Sequence, residues 1–180
     1  MPGCTAAMRR AEPMDPDRTE SPPRSDLRKD LRIDSRFGQL AIAPAQRWRC
    51  AEPLPGFEEL REFALLHVAE QGPFLWLQSL ELPELAFLLV DAARFGLSYD
   101  GVAGGDAPVC LMVIVPRAPG EVLRLHKQAP LLFDLAGSSF VQQVFEPEQV
   151  LGDGVWIEQP TSEPAAAWTQ RIVEVARSGA

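Results

Sequence analysis

The side chains best suited to metal binding or nucleophilic chemistry in this chain are three cysteines and two histidines, spread through 180 residues. They are Cys4, Cys50, Cys110, His67 and His126. A zinc site usually draws its cysteine and histidine ligands from short, closely spaced motifs, and these residues lie far apart. The odd number of cysteines also argues against a disulfide framework. The sequence therefore predicts reduced thiols, no metal and no cofactor.

Motifs of the common catalytic sites are missing from the sequence. It contains no Gly-x-Ser-x-Gly elbow, no phosphate-binding loop ending in Gly-Lys-Ser/Thr and no His-Glu-x-x-His. The adjacent acids Glu58 and Glu59 have no histidine close to them in sequence, and charged residues are mostly exposed. These observations favour a binding protein over an enzyme. A small β-barrel enzyme or ligand carrier with an unidentified pocket is the alternative.

Charge is unevenly distributed along the chain. Residues 37–180 contain nine Lys/Arg and eighteen Asp/Glu, whereas residues 1–36 contain eight and seven. A surface as acidic as the longer segment repels phosphate backbones and attracts basic protein surfaces. We therefore expect no direct binding of nucleic acid. The acidity either keeps the protein soluble or steers a basic protein partner towards it.

Apolar residues make up 46% of the chain, which is enough to form a buried core. No run approaches the roughly 18 consecutive apolar residues of a membrane-spanning helix, and charges occupy the place of a signal peptide's apolar region. We expect a cytoplasmic protein without a membrane partner. The sequence does not specify an oligomeric state.

The first ordered element is predicted to be a β-hairpin. Residues 1–30 are rich in proline and mixed charges and poor in large apolar side chains, which predicts a disordered tail. From Leu31 to Ile42, apolar residues alternate with polar ones on both sides of Gly38. This alternation about a glycine is typical of two short strands joined by a turn.

Short apolar runs separated by Pro- and Gly-containing turns predict further strands at a spacing of roughly 8 to 12 residues, typical of an all-β sandwich or barrel. The runs are Glu62–Ala69, Phe74–Leu80, Leu85–Asp91, Val109–Pro116 and Glu121–His126, followed by two strands about the Gly-Ser turn at residues 137–138. The first run could equally begin as a helix from Glu58. The predicted fold class is all-β, a small antiparallel barrel or sandwich of about eight strands.

A C-terminal amphipathic helix is predicted beyond the last of these strands. Trp168, Ile172 and Val175 recur at helical spacing, so such a helix would pack on its own domain or dock on another protein. The predicted organisation has three parts: a disordered tail over 1–30, a β-barrel domain over 31–146, and a linker with the C-terminal helix over 147–180.

The run "FLWLQS" contains the most conspicuous aromatic pattern. In a strand, Phe74, Trp76 and Gln78 share one face and the leucines between them share the other. One face must be covered by the core. The aromatic face is therefore either buried or an exposed aromatic stripe.

Five sequence blocks, taken in order, resemble the bacterial flagellar assembly factor family FliW. They are "IDSRFGQLAI", "LPGFEELREFALL", "PFLWLQSLELPELAFLLVD", "VCLMVIVP" and "APLLFD". The most specific are the "PGFE" and "WLQS" blocks. The resemblance implies an all-β barrel-like fold, no catalysis and no cofactor.

The resemblance also implies two protein partners. FliW proteins bind flagellin in the cytoplasm and bind CsrA, an RNA-binding repressor of flagellin translation, so that export of flagellin frees the factor to sequester CsrA. The motif residues that would form or support the partner surface are Pro55, Gly56, Phe57, Glu58, Trp76, Gln78 and Phe87. An exposed aromatic patch rimmed by acids would favour this interpretation, and a polar cluster facing a cavity would favour a ligand-binding protein.

Overall fold

The computed structural model describes residues 29–102, 105, 107–116, 118, 120–158 and 165–176. The predicted disordered tail falls, up to residue 28, outside these residues and stays a prediction. Thirteen strands form in the described part: β1 (Leu31–Ser35), β2 (Gly38–Ile42), β3 (Arg47–Cys50), β4 (Glu62–Val68), β5 (Leu75–Ser79), β6 (Ala86–Asp91), β7 (Ser98–Tyr99), β8 (Cys110–Ile114), β9 (Arg124–Leu125), β10 (Leu131–Asp134), β11 (Ser139–Gln142), β12 (Val150–Leu151) and β13 (Ile172–Val175).

Seven of these strands close into a barrel. Antiparallel pairings run from β3 through β4, β5 and β6 to β8, which meets β10 at the pair Cys110 and Leu131. Strand β10 pairs with β11, and a parallel pairing of β11 with β3 completes the ring. Closure satisfies the strand edges that an open sheet would expose. The predicted all-β class is confirmed.

The barrel interior is filled by the inward-facing residues of alternating strands. On β4, Phe63 and Leu65 face inward and are fully buried. Leu77 on β5 also faces inward and is fully buried. The intervening residues face outward because side chains alternate across a strand. The segment predicted as strand or helix is therefore a strand, since its apolar residues serve both faces.

A second core lies outside the barrel, under the β1–β2 hairpin. Ile33 and Ile42 of the hairpin pack on Ala64 and Leu66, which face outward from β4. The five pairs of the hairpin run from Leu31 with Ile42 to Ser35 with Gly38, as its alternation predicts. A third apolar cluster covers the outer face of β6 and β8 with residues 92–99 and Phe145.

The predicted C-terminal amphipathic helix is wrong in its extent. Helix α1 covers only Ala166–Thr169, and the residues after it form strand β13, which pairs in parallel with the second half of β4. Val173 and Val175 are buried and Glu174 is exposed, a period of two that suits a strand. Strand β3 pairs only with the first half of β4, so that edge of β4 is free to take β13. The β-branched residues of β13 suit this position.

Candidate partner-binding site

The seven residues singled out in the sequence occupy one connection and two strands, and all but Trp76 lie towards one end of the barrel. Residues 51–61 connect β3 to β4, and residues 80–85 connect β5 to β6. Consecutive antiparallel strands alternate in direction, so these two connections emerge at the same end. The first carries Pro55, Gly56, Phe57 and Glu58, while Trp76 and Gln78 lie on β5 and Phe87 lies on β6.

The Pro-Gly-Phe sequence forms a tight corner. Leu54 and Phe57 form an isolated bridge, in which the Phe57 N–H donates to the Leu54 carbonyl at 2.9 Å. Gly56 has φ +82°, and a Cβ placed there would meet nothing within 4 Å. The corner therefore requires glycine for its backbone conformation and not for space. Pro55 precedes it with the restricted φ that suits the first central position of a turn.

Phe57 covers the end of the barrel. Its ring packs edge-on against that of Phe87, with centroids 5.0 Å apart and planes at 82°. Phe87 is half-buried against the barrel core, whereas Phe57 keeps 36% of its surface exposed. The pair therefore joins the core to an accessible aromatic surface.

Gln78, which lies on the same outward face of β5 as Trp76, supports this end. It is fully buried, and its Nε2 donates to the carbonyls of Ser79, Pro83 and Leu85 at 2.8, 2.8 and 3.0 Å. These carbonyls belong to the last residue of β5 and to the connection between β5 and β6, so one amide group fixes the path of the turn. Because no part of Gln78 is exposed, it holds the surface in place and does not contact a partner.

Trp76 faces outward from β5, on the opposite side from the barrel interior. Its ring lies 5.2 Å from that of Phe37, and the Arg36 guanidinium lies 5.2 Å from the Trp76 ring centroid. Its Nε1 donates to Gln71 Oε1 at 2.7 Å. The hairpin thus covers part of the aromatic face and leaves the rest in an open groove of about 490 Å³, which Trp76 and Phe87 both line.

The same end carries a concentration of negative charge. Residues 52–61 and 80–87, which we call the acidic end, hold five exposed acids and one arginine, Arg61. The acids are Glu52, Glu58, Glu59, Glu81 and Glu84. The N–H of Gly56 donates to Glu58 Oε1 at 2.9 Å, and this hydrogen bond lowers the pKa of Glu58. The corner conformation therefore favours the ionised form of one of these acids.

Glu81 ties the two connections together. Its Oε2 accepts from the N–H groups of Arg61 and Glu62 at 2.5 and 3.2 Å, and the Leu80 N–H donates to the Glu62 carbonyl at 2.9 Å. Burial, and then the charge of Glu81, raise the pKa of Glu62. Sequence reasoning missed Glu81 and Glu84 as site residues. The acids of "LELPEL" were visible, but only the topology places them beside the Pro-Gly-Phe corner.

A cavity of about 190 Å³ lies at the opposite end of the barrel, and most of its charged side chains already have structural partners. His67 hydrogen-bonds Glu174 and the Gly72 carbonyl, and Asp91 accepts from the Ala93 N–H at 2.9 Å. Cys110 is unpaired and fully buried, and burial raises the pKa of its thiol, so the unreactive protonated form dominates. This arrangement gives the ligand-binding alternative little support.

Metal-binding and membrane-spanning features were also sought in the described residues. No group of three or more His, Cys, Asp and Glu side chains is placed there to hold a metal ion. Within the same part of the chain, no helix has the length and apolarity to cross a membrane.

Both the sequence and the fold of this chain match known proteins. The model of the family described as "FliW protein" matches residues 32–151. A flagellar assembly factor FliW from Syntrophotalea carbinolica is 33% identical over 127 residues, covering 65% of this chain and 91% of that protein. One from Leptospira interrogans is 29% identical over 122 residues, covering 59% and 81%. The crystal structure of a flagellar assembly factor FliW, 22% identical, covers 72% of this chain and 99% of its own, with a TM-score of 0.57.

Fold and site together define a small closed β-barrel with an acidic, partly aromatic surface at one end. The match to the sequence model of the family spans most of the chain and shows which family it belongs to. The chain belongs to the FliW family of flagellar assembly factors.

Proposed function

We propose that this chain is a non-enzymatic flagellar assembly factor that works in the cytoplasm by binding two proteins in turn, flagellin and the translational regulator CsrA. Free flagellin occupies the factor. When flagellin is exported, the factor binds CsrA and relieves its repression of flagellin translation. The chain thereby couples flagellin synthesis to flagellum assembly through partner exchange, without catalysis.

The observation that carries this proposal is the composition of the acidic end in a chain of this family. The acidic end holds five exposed acids and the partly exposed ring of Phe57. Complementary charge speeds and selects encounters with a basic partner, while a buried aromatic anchor contributes much of the binding energy. An RNA-binding regulator is expected to present basic surface, which suits this end of the barrel.

Within the acidic end, the motif residues have different roles in the proposal. Phe57 and Glu58 are exposed and contact the partner, whereas Pro55 and Gly56 shape the corner that presents them. Gln78 and Phe87 support it from the barrel. Trp76 lines the adjoining groove and extends the apolar part of the surface.

An RNA-release experiment tests the proposal. CsrA from the same organism is bound to the leader of the flagellin message, and complex formation is followed by electrophoretic mobility. Adding the purified chain is expected to release the RNA, and adding monomeric flagellin is expected to restore the CsrA–RNA complex. RNA that stays bound at every concentration of the folded chain would contradict CsrA antagonism, and release that flagellin does not reverse would contradict partner exchange.

A further inference from the structure

The barrel has an open strand edge at β9, across β8 from β6. Strand β9 pairs with β8 through Val113 with Leu125 and Ile114 with Arg124. No described strand pairs with its other side, so β9 is the last strand of its sheet path. An unpaired edge presents free backbone donors and acceptors to another chain.

The backbone groups at this edge point outward at alternate residues. The N–H of His126 donates to the Met112 carbonyl at 2.9 Å, which directs the polar backbone groups of His126 and Arg124 towards β8. The N–H and C=O of Leu125 then face away from β8. An extended segment can therefore hydrogen-bond to this edge without disturbing the pairing of β8 with β9.

The two faces of the edge differ in chemistry. On one face, Leu123 and Leu125 line an open groove of about 680 Å³ together with Phe74 and Trp156. Leu123 and Trp156 keep 52% and 43% of their surfaces exposed. Glu70 and Lys127 also line the groove, which is otherwise mainly apolar and is accessible to a partner's side chains.

The opposite face is basic. Arg124 is exposed and stands opposite Ile114, and the exposed His126 lies on the same face because side chains alternate along a strand. Neither side chain forms a hydrogen bond or ion pair with another described residue. This edge therefore contrasts with the negative charge of the acidic end.

We propose that the β9 edge is a second docking site, which takes an extended partner segment of alternating apolar and acidic residues by strand addition. The segment's apolar side chains enter the groove beside Leu123 and Leu125, and its carboxylates face Arg124 and His126. Backbone hydrogen bonds to Leu125 fix its register. The site lies across β8 from Phe87, and His126 lines the groove that Trp76 and Phe87 also line, so the two sites adjoin. The proposal does not rest on the function proposed above.

Synthetic peptides provide the test. The probe is an acetylated and amidated octapeptide alternating valine and aspartate, titrated into the full chain while backbone amide shifts are followed by NMR. A peptide with lysine in place of aspartate tests whether the partner's side chains opposite Arg124 and His126 must be negatively charged. A third peptide, valine and aspartate with every backbone nitrogen methylated, tests the strand pairing, because neither of its edges can donate a hydrogen bond.

We expect shifts at Leu123–Leu125 and binding of the valine-aspartate peptide about tenfold tighter than either of the others. A variant combining Arg124→Glu with His126→Glu should reverse the preference between the aspartate and lysine peptides. A control variant with Lys29→Glu and Arg32→Glu, just before the hairpin and at its start, changes the charge in the same direction and should keep the original preference. The absence of saturable binding, or equal binding of the methylated peptide, would overturn the proposal and leave the function of the acidic end unaffected.

Discussion

The rings of Phe57 and Phe87 meet edge-on, 5.0 Å apart, at the point where the Pro-Gly-Phe corner reaches the barrel. Phe87 belongs to β6 and packs on the core, and Phe57 belongs to the connection before β4. Two sequence blocks that are separate in the chain therefore form one structural unit. The corner both closes the barrel and presents an aromatic side chain to solvent.

Replacing Phe57 tests both roles of this side chain. In Phe57→Ala we expect the free energy of unfolding to fall by about 1 kcal/mol, because one edge-on aromatic pair and part of a buried ring are lost. CsrA binding should weaken about tenfold or more if Phe57 is an anchor of the interface. Urea unfolding and isothermal titration calorimetry measure the two effects.

The control for Phe57→Ala is Val144→Ala. Val144 is an exposed apolar residue, 77% accessible, that lies outside the acidic end. Its replacement should change neither stability nor CsrA binding appreciably. Unchanged CsrA affinity in Phe57→Ala would show that the corner closes the barrel without contacting this partner.

Substitutions of Gly56 test how strongly the corner depends on its backbone conformation. A Cβ at this position meets no atom within 4 Å, so Gly56→Ala should cost only the strain of φ +82°, about 1 kcal/mol. Gly56→Asn should cost less, because asparagine tolerates positive φ better than alanine. The two variants are compared by urea unfolding. Equal stability of Gly56→Ala and the parent chain would mean that the corner adopts another conformation in solution.

Gln78 should be among the most sensitive polar positions. In Gln78→Leu, the Ser79 and Pro83 carbonyls lose the amide donor, whereas the Leu85 carbonyl keeps the Ser79 N–H, and we expect a loss of about 2 kcal/mol. Gln78→Glu should be worse, because a carboxylate would face the same carbonyls. Gln142→Leu is the matched control, since Gln142 Nε2 makes one bond, to the Ala129 carbonyl at 3.2 Å. A smaller loss in Gln78→Leu than in Gln142→Leu would contradict the bracing role.

The His67–Glu174 pair should make the attachment of β13 depend on pH. His67 Nδ1 lies 2.8 Å from Glu174 Oε2 and Nε2 lies 3.0 Å from the Gly72 carbonyl, so both ring nitrogens face acceptors. The hydrogen bond to Glu174 is the main cause of a raised His67 pKa. Because the folded-state pKa is raised, the stabilisation is fully present below the unfolded value of about 6.5 and is lost as pH rises through the folded-state value.

NMR titration and unfolding measure this effect. In Glu174→Gln the pKa of His67 should fall. The variant should be less stable than the parent chain at pH 6, by on the order of 0.5 kcal/mol for a partly exposed pair, and equally stable at high pH. Glu158→Gln, on another exposed acid, is the control. An unchanged His67 pKa in Glu174→Gln would contradict the pairing.

Most barrel strands could be predicted from the sequence because their apolar runs end at Pro or Gly. The run "LAFLLVD" corresponds to β6, whose neighbours cover both of its faces. Strand β3 was not predicted, since "RWRC" is short and half charged, and its burial depends on pairing with β4. The C-terminal residues were predicted as a helix because Trp168, Ile172 and Val175 also fit a helical period. Their strand pairing depends on a free edge of β4 that no local pattern reveals.

The candidate site was only partly predictable for the same reason. The Pro-Gly-Phe turn and the strand of Trp76 are visible in the sequence as motifs, and the alternation of that strand separates its aromatic face from its leucine face. The sequence does not show what covers the aromatic face, because the covering element is the hairpin and not the barrel interior. The meeting of Glu58 with Glu81 and Glu84 at one end follows from strand order alone.

The central claim is that the acidic end binds the basic regulator CsrA, and calorimetry with a charge-reversed variant tests it most directly. CsrA is titrated into the parent chain and into a variant combining Glu58→Lys with Glu59→Lys, without flagellin, at low and high salt. We expect binding by the parent that weakens as salt rises, and binding at least about tenfold weaker in the variant at low salt. Absence of heat with the folded parent chain, or equal affinity of parent and variant at low salt, would contradict the account.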